Sequence, residues 1–403
     1  MSAPEQPKER NLIWVYTGSL DEDLDAASWL ETTKHLREMG WRVTLIHAGP
    51  SELKEINEIE VSSVPKPDIY LVRQAIFHLR ILREVSRQWQ PTSIIFFHQM
   101  SAPWLLPLRY LRQIMGRELP LIIMDTRTAP MIPKELATRR DRLRTLFDNG
   151  INYIANYMAD GQTAITKRMA QMMGIPDQKL LGIWPSGVNY DSFSVAQQNR
   201  NWDKVDEEVH VIYVGALHHP RNLMNFCRAV VLANDERRRI IFTLVGDGSE
   251  RDELIEFASG TDGIVRVLPP VLHEEIPSLL AAAHIGVLPF PDQERFRVSS
   301  PIKLFEYMAS GMPILATHIT CHTDVVMEGN YAFWAYGEDV EDLVKALIEV
   351  WEQRHTLQEK GQAAAADAQN WTWEASARKL SQSLQNSLTP VTIPAPSTEL
   401  VQE

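Results

Sequence analysis

The feature of this 403-residue sequence that most limits its fold is a repeated alternation of short apolar runs with helix-length amphipathic segments. The runs are rich in β-branched and aromatic residues, which is typical of buried strands, and the segments between them have helical spacing. Alternation of this kind predicts parallel sheets with helices on both faces. The predicted fold class is therefore α/β, with Rossmann-like, doubly wound sheets.

The alternation stops once and starts again, which predicts two lobes. The first series of strands is expected at 12–17, 42–47, 93–98, 121–125, 152–156 and 180–184. The second series is expected at 210–215, 240–246, 264–268, 285–290 and 313–317. The polar segment between the two series, 189–208, lacks periodicity and is expected to be a linker.

The length of the chain agrees with this division, because it suits two domains of about 200 residues that each bury a core. We predict a first lobe over 1–195 and a second over 196–387, facing each other across a cleft. Before the end of the second lobe, Trp371 and Trp373 are expected to be buried anchors of a helix. The tail over 388–403 is rich in Pro, Thr and Ser and is expected to be disordered.

The composition is that of an ordinary soluble protein, with 44% hydrophobic and 23% charged residues. No apolar run approaches the roughly 18 residues that a membrane-spanning helix needs, and the polar start has no signal-peptide pattern. Two cysteines are too few for a disulfide framework or a cysteine metal site. We expect a cytoplasmic protein without a nucleic-acid partner.

The charge is unevenly distributed although the net charge is −12. Between positions 73 and 144 there are 13 basic and 5 acidic residues, whereas the excess of acid lies in the second half of the chain. One interpretation of the basic segment is a set of solvated helix faces. The other is attraction to an anionic acceptor or to a membrane with acidic lipids, which would place the protein peripherally at the inner membrane face.

The most informative segment is "RVSSPIKLFEYMASGMPILAT", residues 297–317. Pro301 suits the first turn of a helix and Ser300 before it is a good N-cap, so the helix is expected to begin at 301. Gly311 and a following proline are expected to end it. Lys303 and Glu306 are three residues apart and therefore share a face of the helix.

The start of a helix that follows a strand lies at the carboxyl edge of a doubly wound sheet, where ligands bind. The N–H groups and the dipole favour an anion there, and Lys303 adds a full positive charge. Glu306 can accept two hydroxyl hydrogen bonds, as from a ribose diol. The segment therefore predicts a nucleoside diphosphate site, and the alternative is an i,i+3 ion pair on an ordinary helix.

A second strand-to-helix connection, "VIYVGALHHPRNLMNF", supports this interpretation. It places Gly215 directly after the first strand of the second lobe and Arg221 at the opening of the next helix, where it can reach the same edge. A third connection, "VGDGSERDEL", is not a dinucleotide fingerprint, because Arg251 stands where that pattern needs glycine. A dehydrogenase is therefore disfavoured.

These motifs resemble those of the family 4 retaining glycosyltransferases of the GT-B fold, over roughly 12–387. The segments that carry the resemblance are "GIWPSGVNYDSF", "VGALHHPRN" and "SSPIKLFEYMASGMPILAT", the last with the S-P-x-K-x-x-E pattern of a subgroup. The resemblance implies a GT-B fold whose C-terminal helix returns to the first lobe. It also implies that Arg221 and Lys303 bind the donor diphosphate and that Glu306 binds the ribose.

Two positions depart from the family pattern. Ala216 replaces the usual arginine after the strand glycine, and Val298 replaces the first glutamate of the E-x7-E pair. The first change removes a cation from the diphosphate, and the second removes a carboxylate that would contact the transferred sugar. Lys303 and the amides of Ser299 and Ser300 are expected to compensate, and the identity of the sugar is left open.

In the first lobe, the resemblance places Gly18 and Ser19 on a glycine loop close to the donor phosphates, although a simple turn would also explain them. His98, Asp125 and Arg127 lie at strand ends that are expected to face the cleft, and they are the candidate catalytic residues. The alternatives are a structural role for His98 and a buried ion pair for Arg127.

The resemblance implies a hexosyltransferase that moves a sugar from a nucleotide sugar to an acceptor hydroxyl with retention of configuration. The acceptor would be a glycan, a lipid or a small molecule. No cofactor and no metal is expected, because the nearest carboxylate run, "DEDLD" at 21–25, opens a helix, where acids favour the dipole. Two other functions stay open: a nucleotide-sugar epimerase on the same fold, and a non-catalytic nucleotide-sugar-binding protein.

Overall fold

A computed structural model of the chain contains two β-sheets, one in each half of the sequence. It describes residues 10–18, 26–49, 55–56, 59–64, 70–87, 93–115, 120–128 and 138–388. Ser19, the acidic run at 21–25 and nearly all of the tail lie outside these residues. None of the helices in the described ranges is long and apolar enough to cross a membrane.

In the described residues, the sheet of the first lobe has eight strands. They are β1 (Arg10–Val15), β2 (Trp41–Ala48), β3 (Glu55–Ile56), β4 (Ile59–Val64), β5 (Ser93–His98), β6 (Leu121–Thr126), β7 (Gly161–Ala164) and β8 (Leu180–Ile183). Their order is β3-β4-β2-β1-β5-β6-β7-β8, and every neighbouring pair is parallel except β3 and β4. The carboxyl ends of the parallel strands therefore lie along one edge.

Helices cover both faces of this sheet. They are α1 (Ala26–Glu38), α2 (Tyr70–Arg87), α3 (Ala102–Leu105), α4 (Leu108–Met115), α5 (Arg139–Met158) and α6 (Lys167–Met172). Alternate residues of β1 belong to two different cores, as a pleated strand requires. Leu12 and Trp14 pack on one face, whereas Ile13 and Val15 pack on the other.

The second lobe has a fully parallel sheet of six strands: β9 (Val209–Val214), β10 (Ile240–Val245), β11 (Val265–Leu268), β12 (Ile285–Leu288), β13 (Ile314–Thr317) and β14 (Ala332–Ala335). Their order is β11-β10-β9-β12-β13-β14. The helices that accompany it are α7 (Tyr190–Asn199), α8 (Leu223–Ala233), α9 (Arg251–Ser259), α10 (Ile276–Ala281), α11 (Glu294–Arg297), α12 (Ile302–Ala309), α13 (Thr320–Val326), α14 (Val340–Glu352) and α15 (Leu357–Ala368).

The last helix, α16 (Trp373–Leu388), returns to the first lobe. Its apolar face joins the core of that lobe, and the indole N–H of Trp41 donates to the hydroxyl of Ser381 at 2.8 Å. Trp373 is buried as expected, whereas Trp371 is half-buried and stacks on Phe305 with ring centroids 5.1 Å apart. The predicted two-lobe α/β fold with a returning helix is confirmed.

Two predictions of local structure were wrong. The strand expected at 152–156 is part of helix α5, and the strand in that region is β7, whose sequence Gly-Gln-Thr-Ala carries no apolar run. The expected linker contains helix α7, whose Phe193 is buried in the core of the second lobe. Strands β3, β4 and β14 were not predicted.

Candidate functional site

A cleft of about 440 Å³ lies between the carboxyl edges of the two sheets. The residues of the first lobe that line it are Tyr16, Thr17, Gly18, Ser28, Trp29, His98, Met100, Arg127, Thr128, Ile165 and Ser186. Those of the second lobe are Arg221, Phe290, Phe296, Ser299, Ser300, Pro301, Ile302 and Lys303. The structure therefore brings together seven of the predicted site residues: Gly18, His98, Arg127, Arg221, Ser299, Ser300 and Lys303.

Helix α12 begins at the cleft, one residue later than predicted. Its first residue is Ile302, and Pro301 occupies the N-cap position with an extended backbone. Ser300 does not cap the helix, because its hydroxyl accepts the backbone N–H of Ser186 from the first lobe at 3.1 Å. Residues 299–303 line the cleft at this helix start, whereas the N–H of Leu304 donates to the Pro301 carbonyl at 3.1 Å. The N–H of Ser299 donates to the Phe296 carbonyl at 3.0 Å, which corrects the expectation that this amide compensates for the arginine missing at Ala216.

The side chain of Lys303 lies over Gly215, the residue that follows β9. A Cβ atom on Gly215 would overlap the Cε atom of Lys303, and the glycine φ of +136° is one that other residues rarely adopt. The next layer is also glycine, since a Cβ on Gly246 would overlap the carbonyl oxygen of Gly215. Because Gly215 has no side chain, Lys303 can reach the cleft along the sheet edge.

Arg221 is held by two aromatic rings that the sequence analysis missed. Its guanidinium carbon lies 4.9 Å from the ring centroid of Phe290 and 5.3 Å from that of Phe296, and the two rings stack at 5.0 Å. Cation–π contacts of this kind fix the position of the cation without neutralising its charge. The sequence signal that could have identified Phe290 as a site residue is its position just after strand β12.

Glu306 lies on the same helix as Lys303, but it does not line this cleft. The residue is only 8% exposed, and its carboxylate accepts a hydrogen bond from Nε2 of His273 at 3.3 Å. This hydrogen bond is the main cause that raises the pKa of His273. His273 was not predicted, since no local pattern relates two residues 33 positions apart.

Arg127 lies flat on Trp184, with its guanidinium carbon 3.7 Å from the ring centroid, and donates to the Trp184 carbonyl at 3.2 Å. Asp125 lies beneath this pair and not in the cleft, which corrects the expectation that it faces the cleft. Its carboxylate is 1% exposed and accepts hydrogen bonds from Thr163 Oγ1 at 2.6 Å and Trp184 Nε1 at 2.9 Å. Burial raises the pKa of Asp125, and the nearby Arg127 opposes that rise.

His98 reaches the cleft from the end of β5. Its Nε2 atom lies 3.2 Å from the hydroxyl of Thr128. Burial, with a smaller contribution from the charge of Arg127, lowers the pKa of His98 to about 4. The imidazole is therefore neutral at neutral pH and can accept or donate a hydrogen bond.

Val298, one of the two departures from the family pattern, does not line the cleft, although its neighbour Ser299 does. It is 4% exposed and packs with Ile165 and Met169 of the first lobe, and its carbonyl accepts the hydroxyl of Thr166 at 2.8 Å. A charged carboxylate in this apolar contact would lose its hydration without a partner. Val298 therefore contributes to the apolar contact between the two lobes.

Metal ligands were not predicted, and the described ranges contain no group of three or more histidine, cysteine or acidic side chains that could hold a metal ion. Cys227 and Cys321 are both buried and unbridged. The site as described is built from cations, aromatic rings, hydroxyl groups and backbone amides.

The chain is similar to known glycosyltransferases in sequence and in fold. Residues 208–353 match the protein family described as "Glycosyl transferases group 1". A D-inositol 3-phosphate glycosyltransferase of Paenarthrobacter aurescens is 21% identical over 305 residues, which cover 73% of this chain and 71% of that protein.

Two solved structures share the whole architecture. HepE of Anabaena in complex with UDP-glucose superposes with a TM-score of 0.69 at 15% identity, over 93% of this chain and 99% of that one. Sucrose-phosphate synthase of Thermosynechococcus elongatus gives a TM-score of 0.69 at 15% identity, over 94% and 99%. The fold is therefore that of the GT-B glycosyltransferases. Together with the family match in the second lobe, this fold indicates that the protein is a glycosyltransferase.

Proposed function

We propose that this protein transfers a hexosyl group from a nucleoside-diphosphate sugar to an acceptor hydroxyl, with retention of the anomeric configuration. The observation that carries the proposal is the convergence of Arg221, Lys303 and the start of α12 on one cleft between the lobes. HepE of Anabaena was solved in complex with UDP-glucose, which is the class of donor that this cleft would take.

The proposed chemistry needs stabilisation of a leaving diphosphate, whose negative charge grows as the bond to the sugar breaks. Fixed cations and amides aimed at that charge lower the barrier most, because they do not have to reorganise during the reaction. Arg221 is held by two phenylalanine rings and Lys303 by its path over Gly215. We propose that these two cations and the backbone N–H groups of Ser300, Ile302 and Lys303 bind the diphosphate without a metal.

Retention is proposed to proceed by attack of the acceptor on the face that the diphosphate leaves, so that a leaving phosphate oxygen takes the acceptor proton. A double displacement would instead need a carboxylate nucleophile beside the sugar. None of the described residues that line the cleft has a carboxylate side chain. His98 and Arg127 would orient the acceptor hydroxyl, with Asp125 positioning the Trp184 ring that supports Arg127.

Glu306 is proposed to accept the hydroxyl groups of the ribose, one turn beyond the diphosphate. Its hydrogen bond from His273 would hold the carboxylate in place until the ribose enters. The acceptor is proposed to be a glycan, a lipid or a small molecule, bound mainly by the first lobe.

Donor binding is tested by thermal unfolding of the wild type, Lys303→Ala and Lys345→Ala with a panel of nucleoside diphosphates and their sugars. Lys345 is the matched control, because it is exposed and pairs with two acidic residues of its own helix. A ligand at 100 times its Kd stabilises a protein by about 2.7 kcal/mol. We expect one diphosphate to raise the Tm of the wild type and the control, and Lys303→Ala to lose most of that gain. An equal response of all three proteins would refute the assignment of Lys303.

The reaction itself is tested by incubating the stabilising donor with candidate acceptors and determining the anomeric configuration of the product by NMR. An epimerase would convert the donor without any acceptor, and a binding protein would give no product with any of them. Each of these outcomes would replace the proposed transferase. Activity that persists in excess EDTA is expected, and its loss would contradict the proposed metal independence.

A further inference from the structure

Helix α5 carries a stripe of large apolar side chains on its outer face, which we call the α5 stripe. Its members are Leu143, Leu146, Phe147, Tyr153, Ile154 and Tyr157. They are spaced three, one, six, one and three residues apart, so they lie along one side of the helix. Each is between 49% and 78% exposed.

The opposite face of α5 already serves the core of the first lobe. Asn152, Ala155 and Ala159, just beyond the helix end, are buried there, and Ile151 packs against the same core. The helix therefore carries apolar side chains on two sides, and among the described residues only one of these sides is buried. Scattered exposed apolar residues are ordinary, whereas a continuous exposed stripe marks a surface that meets another apolar phase.

The stripe is flanked by positive charge at one end. The first turns of α5 read "RRDRLR", with four arginines and one aspartate, and Arg139 and Arg142 are exposed. The other end of α5 lies near the start of β6, because the N–H of Asp160, just beyond the helix, donates to the Ile122 carbonyl at 2.9 Å. The basic end of α5 is therefore at the opposite edge of the sheet, where the parallel strands end and the cleft lies. The basic end therefore lies at the same edge of the sheet as His98 and Arg127.

At the far end of the stripe, α4 adds two further exposed apolar side chains, Tyr110 and Ile114, at 52% and 81%. Arg109 ties α4 to this end of α5 by donating to the carbonyls of Tyr157 at 3.0 Å and Met158 at 2.8 Å. The two helices therefore present their apolar side chains from one connected piece of the first lobe.

We propose that the α5 stripe binds the surface of a bilayer that contains anionic lipid. Aliphatic and aromatic side chains would enter the boundary between headgroups and acyl chains, and Arg139 and Arg142 would contact acidic headgroups. Self-association through this face is the competing outcome, and the light-scattering measurement below separates it from lipid binding. The proposal does not depend on the proposed transfer reaction. It implies that the cleft opens near the headgroups, which suits an acceptor carried by the membrane.

The proposal is tested by co-sedimentation of the full chain with vesicles of phosphatidylcholine alone and vesicles with equimolar phosphatidylglycerol. We expect binding to the second kind only, weakening as salt rises. Phe147→Ser/Tyr153→Ser should reduce the partition coefficient about tenfold or more. Arg139→Ser/Arg142→Ser should cause a comparable loss and flatten the salt dependence.

Matched controls come from the second lobe. Leu232→Ser/Met327→Ser removes two equally exposed apolar side chains, and Arg228→Ser/Arg237→Ser removes two exposed arginines. Both controls should bind as the wild type does. A cooperative thermal unfolding transition in every variant, measured without ligand, would show that they fold. Wild-type binding by the α5 variants would overturn the proposal. So would a dimer in light scattering that Phe147→Ser/Tyr153→Ser converts to a monomer, with no binding to vesicles.

Discussion

Arg200 offers the most quantitative test of how the donor site is held in place. It follows helix α7, its residue is 7% exposed, and its guanidinium donates to four backbone carbonyls. The acceptors are the carbonyl oxygens of Ala283, Ser310 and Gly311, each at 2.7 Å, and that of Leu280 at 2.9 Å. Burial lowers the pKa of Arg200 to about 10, which still leaves it charged at neutral pH.

Two of these carbonyls belong to the segment that ends α12, whose start faces the cleft. Arg200→Met would keep most of the stem volume but leave four buried carbonyls without their donor. Hydrogen bonds to charged groups contribute roughly 1.5–3 kcal/mol each, and the desolvation of the guanidinium offsets part of that sum. We expect the free energy of unfolding to fall by about 3–5 kcal/mol, the range typical of breaking a buried charge network. Gln197, whose amide donates to the Ala309 carbonyl at 2.7 Å, would not replace the lost contacts.

The measurement is urea-induced unfolding followed by tryptophan fluorescence, with a parallel titration of the nucleoside diphosphate that stabilises the wild type. Arg200→Lys should lose less, because it retains the charge but cannot reach all four carbonyls. Arg266→Met is the control for an exposed arginine with one carbonyl contact, and it should change stability by no more than about 0.5 kcal/mol. A loss below about 1 kcal/mol in Arg200→Met would refute the reasoning, since the four carbonyls would then have found water or other donors.

Two further predictions concern the glycine under Lys303 and a buried histidine. Gly215→Ala should cost about 1–3 kcal/mol of stability, because of its positive φ and the overlap with Lys303. It should also weaken diphosphate binding about tenfold in calorimetry, whereas Gly150→Ala, whose added methyl meets nothing within 4 Å, should leave binding unchanged. Unaltered affinity in Gly215→Ala would contradict the described path of Lys303. His322 is fully buried, its Nδ1 donates to the Thr317 carbonyl, and burial lowers its pKa from 6.5 to about 4. The unfolded chain therefore binds a proton first as the pH falls, so this contribution to stability is complete above pH 6.5 and is lost between 6.5 and about 4. The loss amounts to about 3 kcal/mol, and His322→Phe should remove that part of the acid sensitivity in urea titrations across this range. An unchanged pH slope in the variant would show that folding does not lower the pKa of His322.

The strand pattern was predictable where a strand is apolar and short. Strand β5 was predicted at its observed bounds, 93–98, because every residue from Ile94 to Phe97 is buried on one face of the sheet or the other. The error at 152–156 has a physical reason. Tyr153 and Ile154 look like strand residues only if apolar side chains are assumed to be buried, and in α5 they are 78% and 49% exposed.

The position of a candidate residue at the cleft was predictable where that residue carries its own signal. Lys303 and Arg221 could be found because they open segments that follow strands, and helix starts of that kind meet at one sheet edge. Their supports could not be found in the same way. Trp184 holds Arg127 from a position 57 residues away, and such contacts are made by the sheet order, which no local pattern encodes.

The distribution of charge explains how an acidic lobe can present an anion site. Residues 196–403 contain 17 basic and 30 acidic residues, yet the diphosphate is assigned to this lobe. Charges at the surface are screened beyond about 8 Å at physiological ionic strength, so the excess of acid acts weakly on a ligand in the cleft. A cation at about 4 Å contributes about 4 kcal/mol of Coulomb energy at an effective dielectric constant of 20. Two fixed cations in a cleft whose described lining has no carboxylate therefore outweigh the remote acidic groups. The net charge of a lobe therefore does not show which lobe binds the donor or what the donor is. The lack of carboxylates in the described lining of the cleft is consistent with the proposal that the second lobe binds a diphosphate.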